Sequence, residues 1–329
     1  MTQNLERFIF CFLLFLLMVQ LFSCHQNGSQ TSKNNKEQED NSLTLTYQDT
    51  LLKYLSLQDF KDQTIITKKV NEFGKDQYFN KSGYNWIFFA YNYLLQDKID
   101  SIEIALDNLD GKVSPDLRVL KDYFKIRANF SFNDVTNIGT MEKMIDAKEY
   151  ALENKSRFSF VFFNLLANAN YRRADYRQAL KDNESWYSYH PNKYDPHVAQ
   201  AYQEIKFMQY IELHDDNKLK ETLDSCKYYA NRTADSAIIM RMYNLQSQYF
   251  FSIGNNRKAV EASQKYFNYL SLSKMLNSYA YANLAKNFLN NRQIDSAIYY
   301  FNAGLQFIRT HKSKQNKLFF YQNLQLAYA

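Results

Sequence analysis

The chain has 329 residues, a formal net charge of +6, and only 7 Gly and 3 Pro, too few turn formers for a β-rich or α/β fold. An all-helical chain is what remains, and 27 Tyr and 26 Phe supply large apolar groups for interlocking helix pairs. Charges of both signs are interspersed, with no basic run beyond pairs such as Lys68-Lys69 and Arg172-Arg173, which argues against a nucleic-acid surface.

The amino terminus reads as a targeting segment. Phe8 to Phe22 is apolar except for Gln20, follows Arg7, and is closed by Leu21-Phe22-Ser23-Cys24. This is the length of a signal-peptide core and is short of the ~20 residues that span a bilayer. The closing tetrapeptide looks like a bacterial lipobox, although Phe22 is bulky where a small residue is usual. That resemblance implies a signal peptide at 1–23 and lipidation of Cys24. An ordinary cleaved signal and an uncleaved membrane anchor are the alternatives. Cys11 lies in the apolar core and Cys226 stands alone, so no intramolecular disulfide framework is available to the exported domain. Residues 25–42 are almost wholly polar and read as a disordered tether, which would span roughly 20 to 25 Å. Surface-exported lipoproteins of the phylum Bacteroidota carry acidic residues directly after the lipid cysteine. His25-Gln26-Asn27-Gly28-Ser29 has none, so a periplasm-facing location is expected, with the leaflet open.

From residue 43 to 329 apolar residues recur at helical spacing. Leu51, Leu52, Leu55, Phe60, Ile65, Ile66, Val70 and Phe73 form an irregular opening that would cap the array. The first clear hairpin has Trp86, Phe89-Ala90 and Tyr93, the turn Gln96-Asp97-Lys98, then Ile99, Ile102, Leu106 and Leu109, ending before Pro115. A second pairs Leu117–Ala128 with Met141–Leu152 across a long loop that includes Gly139. In the third, Phe163 and Leu166-Ala167 lead through Arg173-Ala174-Asp175 to Tyr176, Ala179, Trp186 and the stop His190-Pro191. Val198–Leu213 then pairs with Leu219–Ala230, and Tyr243 leads through Ile253-Gly254-Asn255-Asn256 to Ala259 and Phe267. The last full hairpin carries Tyr281, Leu284-Ala285 and Phe288, the turn Asn290-Asn291-Arg292-Gln293, then Ile294, Ala297, Phe301, Gly304, Leu305 and Ile308. Taking Ala179, Thr222, Ala259 and Ala297 as equivalent gives spacings of 43, 37 and 38. Ser313 to Ala329 begins another hairpin, with Tyr321, Leu324 and Tyr328 placed as in the first helices before it and no second helix following. Phe319, Phe320, Leu324 and Leu326 cannot all face the preceding hairpin, so either a shortened product or self-association through this helix is expected.

Tyr281, Leu284-Ala285, Phe288, Ala297 and Phe301 resemble the tetratricopeptide repeat, with Arg309 where its proline would stand. The match covers about 42–329, strong in three hairpins and loose in the others. The resemblance implies an all-α, α-α superhelix (tetratricopeptide-like solenoid) of antiparallel helical hairpins, whose first helices line a ligand-binding face. In this sequence those places hold Asn164, Asn168, Tyr171 and Arg172, then Arg241, Asn244 and Gln248, then Asn283, Lys286 and Asn290. Amides and cations at one-turn spacing can hydrogen-bond an extended peptide and its carboxylates. An ordinary polar surface is the competing reading.

No phosphate loop, Cys-x-x-Cys, His-Glu-x-x-His or Gly-x-Ser-x-Gly is present. His190 and His197, with Asp195 between them, read as a surface loop across two prolines, and His214-Asp215-Asp216 as a solvated turn. Cys226, between Leu223 and Tyr229, reads as a buried structural thiol. Neither catalysis nor a cofactor or metal is expected. The sequence thus predicts a lipid-anchored, non-catalytic protein-interaction module of the bacterial envelope with an unidentified protein or peptide partner. Asp295-Ser296-Ala297 also resembles hairpin openings in Bacteroidota membrane regulators, which implies an alternative role as a periplasmic sensory segment of a regulator or kinase. A carbohydrate-binding lipoprotein is a third reading.

Overall fold

The computed structural model describes residues 43–52, 55, 63–96, 98–109, 113–130, 138–233, 235–311 and 317–328. The expected signal peptide, Cys24 and tether lie outside them, as do Phe60 and most of the loop after Phe130. Among the described residues the chain is all-α and contains no strand. The helices are α1 (43–52), α2 (Gln63–Phe73), α3 (Gln77–Lys81), α4 (Tyr84–Leu95), α5 (Ile99–Asp107), α6 (Pro115–Asn129), α7 (Ile138–Glu153), α8 (Phe160–Arg172) and α9 (Tyr176–Tyr189). They continue as α10 (Pro196–Leu213), α11 (Asp216–Thr233), α12 (Ser236–Ser252), α13 (Asn256–Leu272), α14 (Ser278–Asn290), α15 (Ile294–Thr310) and α16 (Lys317–Tyr328). Gly139 falls inside α7 rather than in the loop that the sequence pattern assigned to it.

The chain divides at Asp195 into two compact units. In the amino-terminal unit, α4 pairs with α5, α6 with α7 and α8 with α9, and α2 and α3 pack on α4. In the carboxy-terminal unit, α10 pairs with α11, α12 with α13 and α14 with α15, and α16 closes on α15. First helices also meet the next first helices, α4 with α6, α10 with α12 and α14 with α16. This is the nearest-neighbour packing of a repeat array.

Four of the hairpin turns are built by the same local device. Ala174, His214, Gly254 and Arg292 take φ of 62°, 53°, 73° and 60°. The following residue's N–H reaches back to close the helix: Asp175 to the Asn170 carbonyl (2.9 Å), Asp215 to Tyr210 (3.2 Å), Asn255 to Phe250 (2.7 Å) and Gln293 to Phe288 (2.9 Å). These six-to-one bonds satisfy carbonyls that a helix end would otherwise leave open. In three of the turns that same residue then caps the second helix, its Oδ1 accepting from the Gln178, Lys218 or Lys258 amide at 3.0–3.2 Å. The turns fix the repeat register independently of the apolar motif. Counted from them, the residue equivalent to Ala179, Ala259 and Ala297 is Leu219, not Thr222, because Leu219 N–H bonds the Asp215 carbonyl as Ala179 bonds Asp175. The spacings are therefore 40, 40 and 38, more even than the motif suggested.

In the amino-terminal unit the opening segment does more than cap. Tyr84 and Phe88 of α4 are fully buried beneath Tyr47, Phe73 and Phe79, with ring centroids 5.1–6.2 Å apart through that cluster. Polar side chains anchor α1, among them Thr44, which shares a hydrogen bond with the Tyr78 hydroxyl (2.7 Å). Tyr47 donates to Asp76 (2.6 Å), and the Gln48 amide donates to Tyr84 (2.8 Å) and Asp116 (3.1 Å). Arg157 donates to Gln48 (3.1 Å) and Asp49 (2.6 Å). Tyr84 and Phe88 are buried under α1–α3 and Tyr91 against Phe124 of α6, while Trp86, Phe89 and Tyr93 of the motif stripe are only half-buried.

In the carboxy-terminal unit, α14 and α15 share a core cluster in which Leu284, Ala285, Phe288, Ala297, Phe301, Leu305 and Ile308 pack together. Gly304 admits α16: a methyl there would lie 2.3 Å from the Phe320 ring. On α16 the buried residues are Phe320, Leu324 and Ala327, whereas Tyr321 and Tyr328 are exposed. That corrects the expected stripe, which included both tyrosines.

Two further expectations are settled by burial. His190 is not in a surface loop; it is 2% exposed, packed between Phe160 and Trp186, and its Nδ1 accepts from the Asn192 amide at 3.0 Å. Cys226 is fully buried, and burial holds its thiol well above its ordinary pKa.

Candidate ligand-binding face of the first helices

The first helices carry polar side chains that range from buried Gln200, Ser247 and Asn287 to exposed Lys286 and Asn290. In α8, the Asn168 amide donates to the Asn164 side chain (3.1 Å) and carbonyl (2.8 Å), and the ring of Tyr171 meets Tyr176 edge-on. The Arg172 guanidinium lies 4.9 Å from the centre of the Phe130 ring, and burial lowers its pKa to about 10. Arg172 is thus engaged with the chain itself.

The carboxy-terminal unit carries a longer arrangement across α10, α12 and α14. Glu204 of α10 accepts from Arg241 Nε at 3.2 Å and from the Gln200 amide at 2.9 Å. Gln200 Nε2 also lies 3.6 Å from the Met242 sulfur. A second set of bonds joins α12 to α14: the Asn283 amide donates to Asn244 (2.9 Å), the Asn287 amide donates to Asn283 (3.1 Å) and Ser247 (2.9 Å), and Gln248 donates to the Tyr279 hydroxyl (3.3 Å). Lys286 is exposed, with its Nζ 4.9 Å from the centre of the Phe251 ring, and Asn290, also exposed, donates to the Lys286 carbonyl. Burial pushes the Glu204 carboxyl up to about 7 and lowers the Arg241 guanidinium to about 10. The Gln200 hydrogen bond opposes the rise at Glu204, and Tyr266 opposes the fall at Arg241.

The structure therefore brings Arg241, Asn244, Gln248, Asn283, Lys286 and Asn290 onto neighbouring helices of one unit. It places Asn164, Asn168, Tyr171 and Arg172 along α8 of the other. Sequence reasoning missed Gln200, Glu204, Ser247, Tyr279 and Asn287. Glu204 stands 40 residues after Asn164 and 40 before Asn244, so the turn register would have found it. With Thr222 taken as the marker, α10 had no assigned phase.

Asparagine and glutamine amides can each give and accept hydrogen bonds, so an amide ladder suits a ligand with alternating donors and acceptors, as an extended peptide has. Among the described residues no group of three or more metal-ligating side chains occurs, and no helix is long and apolar enough to cross a membrane.

No protein-family model matches the chain, and no curated protein does. Among solved structures, the chain is similar to a signal transduction ATPase with numerous domains that has a tetratricopeptide repeat sensor, from Pyrococcus horikoshii. The TM-score is 0.62 and the identity 13%, over 91% of this chain and 50% of that one. It is also similar to the apo form of RapI, with a TM-score of 0.56 and 12% identity over 90% of this chain and 82% of that one. The chain thus spans half the length of the ATPase. Likeness at this identity establishes the fold, a tetratricopeptide-like stack of helical hairpins of the α-α superhelix class.

Proposed function

We propose that the chain is a non-catalytic protein-binding module, lipidated at Cys24, held at a bacterial membrane and facing the periplasm, with a peptide segment of a partner bound on the first helices. The observation that carries this reading is that polar side chains pair between successive first helices, Gln200 and Glu204 with Arg241 from α10 to α12, and Asn244, Ser247 and Gln248 with Asn283, Asn287 and Tyr279 from α12 to α14. The Cys24 anchor rests on the sequence alone. A sensory role is the second reading. It is favoured by the likeness to the ATPase whose repeat segment is described as a sensor. Leu318, Tyr321, Leu326 and Tyr328 leave an apolar side of α16 exposed, through which two chains would associate.

The test is crosslinking in the native envelope with wild-type protein, Cys24→Ala, and Arg172→Ala with Arg241→Ala. Cys24→Ala should be released from membranes, and the double arginine variant should lose the crosslinked partner while keeping its helical content. An unchanged partner in the double variant would move the binding surface away from these helices.

A further inference from the structure

We propose that the Glu204–Arg241 pair is an exchangeable anchor for a carboxylate. An acidic side chain or terminal carboxylate of a bound segment takes the place of Glu204 on Arg241, and Glu204 takes up one proton from solvent. This rests on the first-helix face being the binding surface.

The geometry carries it. The two residues come from different first helices, so their contact bridges α10 and α12 above Cys226 of α11 and Tyr266 of α13. Their side chains keep 19% and 17% of their surface exposed, enough for a ligand oxygen to reach the pair. Stability does not account for the pair, since apolar residues of similar volume usually serve as well or better at such a place. Gln200 supplies the second observation. It is fully buried, it donates through Nε2 to Glu204, and its Oε1 has no hydrogen-bond partner. Rotating that amide by half a turn presents Oε1 to Glu204, where it accepts from a protonated carboxyl. The Gln200 contact therefore serves both charge states of Glu204. The titratable groups facing Glu204 are Arg241 of α12 and the thiol of Cys226 on α11, which burial keeps neutral. Tyr266 of α13 faces Arg241, and Tyr279 of α14 faces Tyr266. In the exchange one Arg241 N–H bond to Glu204 breaks and one to the ligand forms. The ligand carboxylate stays ionised, one proton passes from solvent to Glu204, and the charge of the site is conserved.

The test uses the full chain in detergent and two probes, acetyl-Gly-Ser-Glu-Ser-Gly-amide and the same peptide with Gln for Glu. The Glu probe should bind better than the Gln probe, with affinity falling about tenfold per pH unit above pH 7, the slope of one linked proton. Glu204→Gln should tighten the Glu probe and abolish the slope, and Arg241→Gln should lose it. Equal binding of the two probes, no binding of the Glu probe at millimolar concentration, or a pH-independent affinity in the wild-type chain would overturn the exchange. These wild-type readings stand whether or not the variants fold. If Arg241→Gln still crosslinks its envelope partner through the first helices, the binding face stands and the carboxylate anchor fails.

Discussion

At the scale of single residues, Gly304 and Glu204 show two different constraints. Gly304 is required by a close approach, because the ring of Phe320 occupies the space a methyl would fill and Tyr281 Cβ lies 3.0 Å away on the other side. Gly304→Ala should cost about 1–3 kcal/mol in chemical unfolding despite its better helix propensity. In a Phe320→Leu background the same change should cost less or stabilise. Glu204 is constrained by solvation. Its carboxyl binds a proton more tightly in the folded chain, near 7, than in the unfolded chain, near the ordinary 4.5. Its contribution to stability is therefore present below about pH 4.5 and is lost as pH rises through about 7. Glu204→Gln should remove that loss, so wild type should fall relative to the variant between pH 4.5 and 7 when unfolding is followed across the range. A constant difference would mean that Arg241 holds Glu204 ionised throughout.

At the scale of helices and turns, four of the hairpins depend on a left-handed turn residue as much as on their apolar stripe. Only one of the four such positions is glycine, so the turns are built at a cost of about 1 kcal/mol each where Ala, His or Arg adopts a positive φ. Gly254 has open space around it, so Gly254→Ala should show that backbone cost alone, about 1 kcal/mol. Ala174→Gly should gain a comparable amount, less the extra freedom of the unfolded chain. Calorimetric midpoints moving in the same direction for both would contradict this turn geometry. The same turns explain what was legible beforehand. Helices and hairpin pairing followed from period and from stops such as His190-Pro191, because apolar spacing and proline act locally. The register at Leu219 was not legible, because a leucine occupies a place where the pattern asks for alanine while a small Thr222 sits nearby. His190 looked polar and loop-borne, yet Trp186 one turn before it and Phe160, distant in sequence, bury it. The face phase of α4 was likewise obscured, since α1–α3 bury Tyr84 and Phe88 from the side opposite to the motif stripe.

At the scale of the whole molecule, the repeats offer a partner two kinds of surface, the first helices and the second helices. In the amino-terminal unit α1–α3 already cover part of α4, whereas α10, α12 and α14 are joined by polar side-chain bonds, with Lys286 and Asn290 exposed on α14. Tyr228 and Tyr299 on the second helices are exposed and isolated from those bonds in sequence register. The most direct measurement is site-specific photocrosslinking in the native envelope, with the crosslinker placed in turn at Asn283, Lys286, Tyr228 and Tyr299. The account predicts a single discrete adduct from Asn283 and Lys286, absent from the two tyrosine positions. The same adduct from Tyr228 or Tyr299 alone, or adducts of equal yield from all four, would contradict it.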